Sequence, residues 1–470
     1  MAPEPAGGSG GQGGGAKPTV VEVGDDANTA APGPVKVRLD QQGKKFTDWG
    51  FDIKQTCAQR AADGSCVPPV AAKLAANQAY ADEIFKSGDM AVIRIPIRAD
   101  ELGVNANGGL RPGFYMEVIQ AVKNAKKANP KVRVFASRST ISDCALDSAQ
   151  CKDYADSLKN DGLVGLGKYA KLLSQYLTFM DDSGVHIDVL GVENEPHNNF
   201  GEGNLATCFK QATSGCADRF YQLLANLKSQ HPKPLPLIVG DDAGWPDVDF
   251  ADALTKDNKW GLFDVITTHY QSGDRKERRP LLISLADKAT KHNRPLWDTE
   301  YHYDDIEGQG EYSDAALGVF AVFDHFDADF TGITWWAFKP RSVGTSKAQI
   351  QSALVESTAN TVPLGTDDGD GPALVRSALG SRAFRRGDHS VMVWLVNDTD
   401  KPSTGKPIRI LQGTTLVPPA GPAPYEQWVL KPDGPKGVMS HDTGHAFPVK
   451  SSQIIAKLPP RSITLVTIAK

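Results

Sequence analysis

From about Asp48 to Phe338 short apolar, β-branched runs alternate with longer stretches in which apolar positions recur every three or four residues. The first pattern predicts buried strands and the second amphipathic helices. Eight strand-like runs stand out: Trp49 to Ile53, Ala91 to Pro96, Val132 to Ala136, Ile187 to Val192, Pro236 to Val239, Val265 to His269, Pro295 to Thr299 and Ile333 to Phe338. Between them the spacing predicts helices over Val70 to Ser87, Tyr115 to Ala128, Gly165 to Ser183, Ala217 to Gln230, Asp249 to Asp257, Leu281 to His292 and Ser313 to Phe326. Alternation of this kind implies parallel strands joined by crossover helices. Eight units suit an α/β fold of the closed (β/α)8 TIM-barrel type, which takes about 250 residues plus insertions. An open doubly wound sheet would usually start with a glycine-rich phosphate loop, whereas the first strand here runs into Lys54, Gln55, Thr56 and Cys57.

Beyond a break rich in Gly and Asp at Thr366 to Gly371 the period falls to two. Strands are predicted over Ser390 to Val396, Pro407 to Leu411, Tyr425 to Leu430, Gln453 to Leu458 and Ser462 to Ile468, a small C-terminal antiparallel β-sandwich. Val35 to Leu39 alternates in the same way and is a candidate extra strand for that sandwich, the other reading being an extension of the segment before it. The expected division is a tether over 1–34, a catalytic barrel over 46–365, and a sandwich formed by 35–45 with 372–470.

Composition narrows the setting. The chain has 470 residues, 40% hydrophobic and 23% charged, enough for one large domain and a smaller one. A net charge of -5 gives no global field for nucleic acid or an anionic membrane, so no nucleic-acid partner is expected. Ala2 to Lys17 is almost entirely Gly, Pro, Ala, Ser and Gln, a flexible tether that cannot bury a core. No run approaches the roughly 18 uncharged apolar residues of a spanning helix. The reading is a mature secreted, periplasmic or cell-surface monomer, with the tether suited to a lipid anchor. Cys57 and Cys66, Cys144 and Cys151, and Cys208 and Cys216 each flank a short polar stretch, which fits disulfides in an oxidising compartment with connectivity left open.

Active sites of such barrels sit at the carboxyl ends of the strands. The fourth strand ends in Glu193-Asn194-Glu195-Pro196-His197 and the seventh in Asp298-Thr299-Glu300-Tyr301. Glycosidic hydrolysis with retention needs two carboxyl groups about 5 to 5.5 Å apart, one protonated and one ionised. Glu195 and Glu300 are placed to face each other across the mouth. Arg94 and Tyr270 are the donors expected to keep Glu300 ionised, Asn194 the donor to a sugar 2-hydroxyl, and Trp335 or Trp336 an apolar sugar platform. Glu193 and Glu195 differ by two, so a straight strand would point both inward. A bend after Glu193, or a buried partner such as Arg94, is required.

Asn194-Glu195-Pro196, Thr299-Glu300 and Trp335-Trp336 at successive strand ends resemble clan A of the retaining glycoside hydrolases. The order Val92-Ile93-Arg94-Ile95-Pro96, Phe135-Ala136-Ser137-Arg138-Ser139, then the helix Tyr169 to Phe179, is most similar to glycoside hydrolase family 30. The resemblance spans about Gln42 to the C-terminus. It implies a retaining hydrolysis needing no cofactor, with Glu195 as acid/base, Glu300 as nucleophile, Asn194 beside the acid/base, Arg94 as the second-strand arginine and Tyr270 as the aromatic near the nucleophile.

Other residues carry two readings. Asp241 and Asp242 either bind sugar hydroxyls or a metal, or cap the next turn. His197 and His269 lack ligand spacing and are expected to hydrogen-bond rather than hold a metal. Trp245 is a sugar platform or a loop anchor. The basic loop from Arg275 to Arg279, or Arg341, either is a solvated face or pairs with an acidic sugar. The substrate expected is a β-linked polysaccharide or oligosaccharide cut internally. The alternatives are exo or furanosidase action, and a sugar-binding barrel without turnover.

Overall fold

The computed structural model describes residues 33–54, 70–98, 103–105, 108–138, 162–194, 216–240, 259–270, 275–301, 311–336, 338–367, 379–431 and 439–469. The chain enters through β1 (Val35–Gln42) and then builds a parallel sheet from β2 (Asp48–Asp52), β3 (Val92–Ile97), β4 (Arg133–Arg138), β5 (Val189–Gly191), β6 (Leu237–Val239), β7 (Ile266–Thr268), β8 (Leu296–Tyr301) and β9 (Gly332–Trp335). The strands lie in the order β6-β5-β4-β3-β2-β9-β8-β7. A parallel bridge between Val239 and Val265 joins the two outer strands and closes the barrel. All eight strands stand where the apolar runs predicted them.

One face of these strands points into the barrel and the other to the helices. Val92, Phe135, Val189, Val239, Val265 and Trp297 form a buried cluster of their own, one side chain from each of six successive staves. Their neighbours Ile93, Val134, Leu190, Ile238, Ile266 and Leu296 belong instead to the large outer core shared with the helices. Gly332 has to be small, because a Cβ there would lie 2.8 Å from the Trp297 ring.

The helices follow the sequence pattern with adjusted ends: Pro112–Ala128, Gly162–Asp182, Cys216–Gln230, Arg275–Lys291 and Glu311–Asp327. The stretch predicted as one helix from Val70 to Ser87 is broken. Val70–Ala76 and Gln78–Ala81 are separated at Asn77, whose side chain caps the Tyr80 N–H, and a π-helical turn follows over Asp82–Ser87. The helix predicted over Asp249 to Asp257 lies outside the described residues. A further helix, Ser346–Thr358, has no counterpart in the periodicity, because it is buried almost all round.

The remaining strands, β10 (Val362–Asp367), β11 (Leu379–Arg385), β12 (Val391–Asn397), β13 (Ser403–Gln412), β14 (Thr415–Leu416), β15 (Ala423–Leu430), β16 (Met439–Phe447), β17 (Val449–Lys450), β18 (Gln453–Leu458) and β19 (Ser462–Ile468), make a second, mostly antiparallel sheet. Strand β1 lies inside this sheet, antiparallel to β10 and parallel to β13, so the alternating Val35, Val37 pattern is a strand with its apolar side in the second core. Strand β10 enters the sheet before the Gly/Asp-rich break.

Helix Ser346–Thr358 ties the barrel to the second sheet. Trp49 of β2 donates its ring N–H to Thr358 Oγ1 at 2.9 Å, and Trp394 of β12 donates to Ser357 Oγ at 2.9 Å. Five of the six cysteines, Cys57, Cys66, Cys144, Cys151 and Cys208, lie outside the described residues, as does the tether. Among the described residues no helix is long and apolar enough to cross a membrane.

Candidate active site

At the carboxyl end of the barrel the inward side of the first strands turns from aliphatic to ionic. Arg94 follows Val92 by two on β3 and so points inward as well, fully buried above the Phe135 ring at 5.4 Å. Its Nη1 donates to Asp52 Oδ2 at 2.7 Å and to Glu300 Oε2 at 2.5 Å, and its Nη2 to Asn194 Oδ1 at 2.9 Å and Ser137 Oγ at 3.1 Å. One guanidinium thus joins the ends of four strands, a use that its planar fork of donors allows and an ammonium would not.

Lys54, two residues beyond β2, supplies a second cation. Its Nζ donates to Asn194 Oδ1 at 2.5 Å and to Glu300 Oε2 at 3.2 Å, and lies 5.5 Å from the centre of the Trp336 ring. From its place at a strand end, Tyr270 is expected to be the second donor to Glu300. The structure puts Lys54 in that place, while Tyr270 is buried and gives its backbone N–H to Asp298. With its Oδ1 accepting from both cations, Asn194 has its amide nitrogen left as the donor for whatever occupies the mouth.

These contacts set the charge states. Burial pushes the Glu300 carboxyl up, but Lys54, His269 and Arg94 together outweigh it and hold it at about 2, against an ordinary 4.5. His269 is fully buried with Nδ1 3.9 Å from Glu300 Oε2. Burial raises the neighbouring Asp52 carboxyl, Arg94 and Lys54 only partly offset this, and the charge on Glu300 adds to the rise. Two carboxyls sharing one guanidinium are therefore driven apart, and Glu300 is the one kept as an anion.

Glu300 reaches the mouth by a break in strand regularity. Trp297 faces the interior, so strict alternation would turn Asp298 and Glu300 outward to the helices. The pairing of β8 with β9 slips between Asp298 and Tyr301: Asp298 opposes Ile333, and Tyr301 opposes Trp335. One extra residue on β8 is a β-bulge, and it re-aims Glu300 inward.

The fourth barrel strand, β5, ends at Gly191, and residues 192–194 form a bend, so the bend expected near Glu193 is present. Glu193 is buried, and the cation beside it is Arg138, at 3.9 Å, while Arg94 turns to Asp52 and Glu300. Glu195 is the residue after Asn194; it, His197, Trp245, Asp241 and Asp242 lie outside the described residues. Of the two tryptophans, Trp335 is core, stacked on Trp49 at 5.7 Å, and Trp336 is half-buried beside Lys54.

Two arginines of the basic stretch, Arg278 and Arg279, have described side chains. Arg279 pairs with Asp324 at 2.7 Å and Asp327 at 2.5 Å on the neighbouring helix, and Arg278 is buried against the Tyr270 ring. Arg341 holds Glu356 at 2.8 Å and Glu426 at 3.7 Å in a groove against the second sheet. Sequence reasoning missed Asp52, the other carboxylate on Arg94, and Lys54, which sits in no motif. Its only signal was a lone lysine just past an apolar strand end.

No protein-family profile and no curated protein sequence matches the chain. Solved structures share its fold over nearly its whole length. A glycoside hydrolase family 30 subfamily 8 xylanase from Clostridium acetobutylicum matches with a TM-score of 0.61 at 15% identity, over 93% of this chain and 100% of that one. SrfJ from Salmonella typhimurium gives 0.62 at 12%, over 94% of each chain. A family 51 arabinofuranosidase from Xanthomonas axonopodis pv. citri gives 0.56 at 14%, over 93% of this chain and 100% of that one. The likeness is one of fold: a (β/α)8 barrel joined to a β-sheet domain, as in clan A glycoside hydrolases.

Proposed function

We propose that the protein is a retaining glycoside hydrolase that cuts internal β-linkages of a polysaccharide, with Glu300 as nucleophile and Glu195 as acid/base. The observation that carries this reading is the Glu300 carboxylate, buried at the barrel mouth and kept anionic by Arg94 and Lys54 next to Asn194. A carboxylate so held is stable as an anion without being quenched, since its two donors leave its second oxygen to attack.

In the first step Glu300 attacks the anomeric carbon as the bond to the leaving oxygen breaks, and Glu195 gives that oxygen its proton. A glycosyl ester of Glu300 results. Glu195, now ionised, takes a proton from water, whose oxygen attacks the same carbon and releases Glu300 as carboxylate. The Asn194 amide donates to the 2-hydroxyl, a bond that strengthens as charge develops on the sugar ring. Trp336 offers a ring face to sugar C–H groups. His269 adds to the positive surroundings of Glu300, and His197 and Trp245 complete the proposed sugar contacts.

Named activities among the structural neighbours, several xylanases and an endo-β1,6-glucanase, support a β-linked polysaccharide as the substrate class. The cysteine spacing and the Gly/Pro-rich segment support a secreted or surface-tethered protein, with β1 and residues after the barrel as its sheet domain. Hydrolysis of a panel of neutral and uronic-acid-bearing β-linked polysaccharides tests the reading. Wild type is expected to release oligosaccharides from one of them, and Glu195→Gln and Glu300→Gln are each expected to lose roughly 10^4-fold in kcat. Full activity in Glu300→Gln would overturn the assignment.

A further inference from the structure

The bulge that turns Glu300 inward has a brace that the two-carboxylate mechanism does not use. Asp298 is fully buried, yet its carboxylate is not part of the mouth network. Oδ1 accepts the backbone N–H of Glu300 at 3.1 Å, across the bulge, and Oδ2 accepts the backbone N–H of Tyr270 at 3.1 Å, just past β7. His325, on helix Glu311–Asp327, puts its Nε2 2.8 Å from Asp298 Oδ2. The Ala321 carbonyl, 2.7 Å from Nδ1, and the Asp298 carboxylate can both only accept, so each ring nitrogen donates its N–H. The imidazole is fully buried and boxed by the rings of Tyr270, Tyr301 and Phe330 at 5.1, 5.6 and 4.7 Å.

The geometry points to Asp298 and His325 as positioning residues for the nucleophile: an outward-facing carboxylate, fixed by an imidazole of the helix layer, holds the bulge that aims Glu300 at the mouth. Three features support this. The extra residue of β8 lies between Asp298 and Tyr301, the segment that Asp298 bridges. A bulge leaves backbone groups without ladder partners, and Asp298 satisfies the Glu300 N–H. The imidazole is fixed at both nitrogens, so it can hold Asp298 in one rotamer and with it the ends of two adjacent strands. The inference rests on Glu300 being the nucleophile.

The test compares Asp298→Asn and His325→Gln with Glu300→Gln and wild type on the substrate selected by the polysaccharide panel. Active sites are counted by covalent labelling with a 2-deoxy-2-fluoro glycoside, so that misfolded protein is not scored. A nucleophile displaced by about 1 Å loses roughly 10^2-fold in rate. Asp298→Asn is expected to lose about that much kcat per labelled site with KM changed little, and to label more slowly by the same factor. His325→Gln, which keeps the carboxylate but loses its brace, is expected to lose less. Were Asp298→Asn too unstable to purify, His325→Gln would carry the same comparison. Wild-type kcat per labelled site in either soluble variant overturns the positioning role. Full activity in Glu300→Gln instead overturns the nucleophile assignment, so the two failures are distinct.

Discussion

The molecule contains two charge networks built from the same residue types in different surroundings. At the barrel mouth Asp52, Lys54, Arg94 and Glu300 have side chains 0 to 7% exposed. In the groove against the second sheet Arg341, Glu356 and Glu426 are 31 to 33% exposed and His441 25%. Both join an arginine to two carboxylates. In the groove water screens each charge, so the pairs add little and forgo little. At the mouth the same charges have lost their hydration, and the network stands only because every member is paired. A buried network of that kind has large effects on protonation state, which is the property that a nucleophilic carboxylate requires.

Removing the central cation should separate the two regions most. Arg94→Met leaves Asp52 and Glu300 buried without their shared donor, and unfolding by urea should show a loss of about 3–5 kcal/mol. The matching change in the groove, Arg341→Met, should stay within about 1 kcal/mol, with a difference that fades in 1 M salt as screening shortens to about 3 Å. Equal losses at the two sites would remove the distinction.

Lys54→Met sharpens the comparison through pH. Glu300 is depressed to about 2, so its anion contributes stability above its ordinary 4.5, and that contribution is lost as pH falls from there through about 2. Without Lys54 the folded value rises towards 4.5. The acid limb of kcat/KM should then move to higher pH, and acid unfolding should begin at higher pH, each followed across a pH series. A limb that does not move would mean that Lys54 leaves Glu300 unaffected.

The same contrast between exposed and buried explains what the sequence made legible. Strands buried on both faces read as apolar runs, so all eight barrel staves were visible, as was β1 with its alternating Val35 and Val37. Arg94, Asn194 and Glu300 were found because each stands where an apolar run turns polar. Lys54 was not, since it follows Asp52 and Ile53 in a run with no recognisable motif and gains its meaning only from Glu300, 246 positions away. Tyr270 stands at a strand end just as Arg94 does, but its ring packs on His325. The Ser346–Thr358 helix was missed because burial on nearly every side erases the amphipathic period. Strand β16, largely exposed, shows no alternation to read. The bulge in β8 is invisible in a linear pattern, and alternation by itself would have turned Glu300 away from the mouth.

The central claim is that Glu300 carries the sugar during turnover. Incubation with a 2-deoxy-2-fluoro glycoside of the sugar released from the preferred polysaccharide, followed by mass spectrometry of the intact protein and its peptides, tests this directly. The account predicts one added glycosyl group per chain, on the peptide containing Glu300, and none in Glu300→Gln. A label on another carboxylate, or hydrolysis that inverts the anomeric configuration and leaves no label, would contradict it.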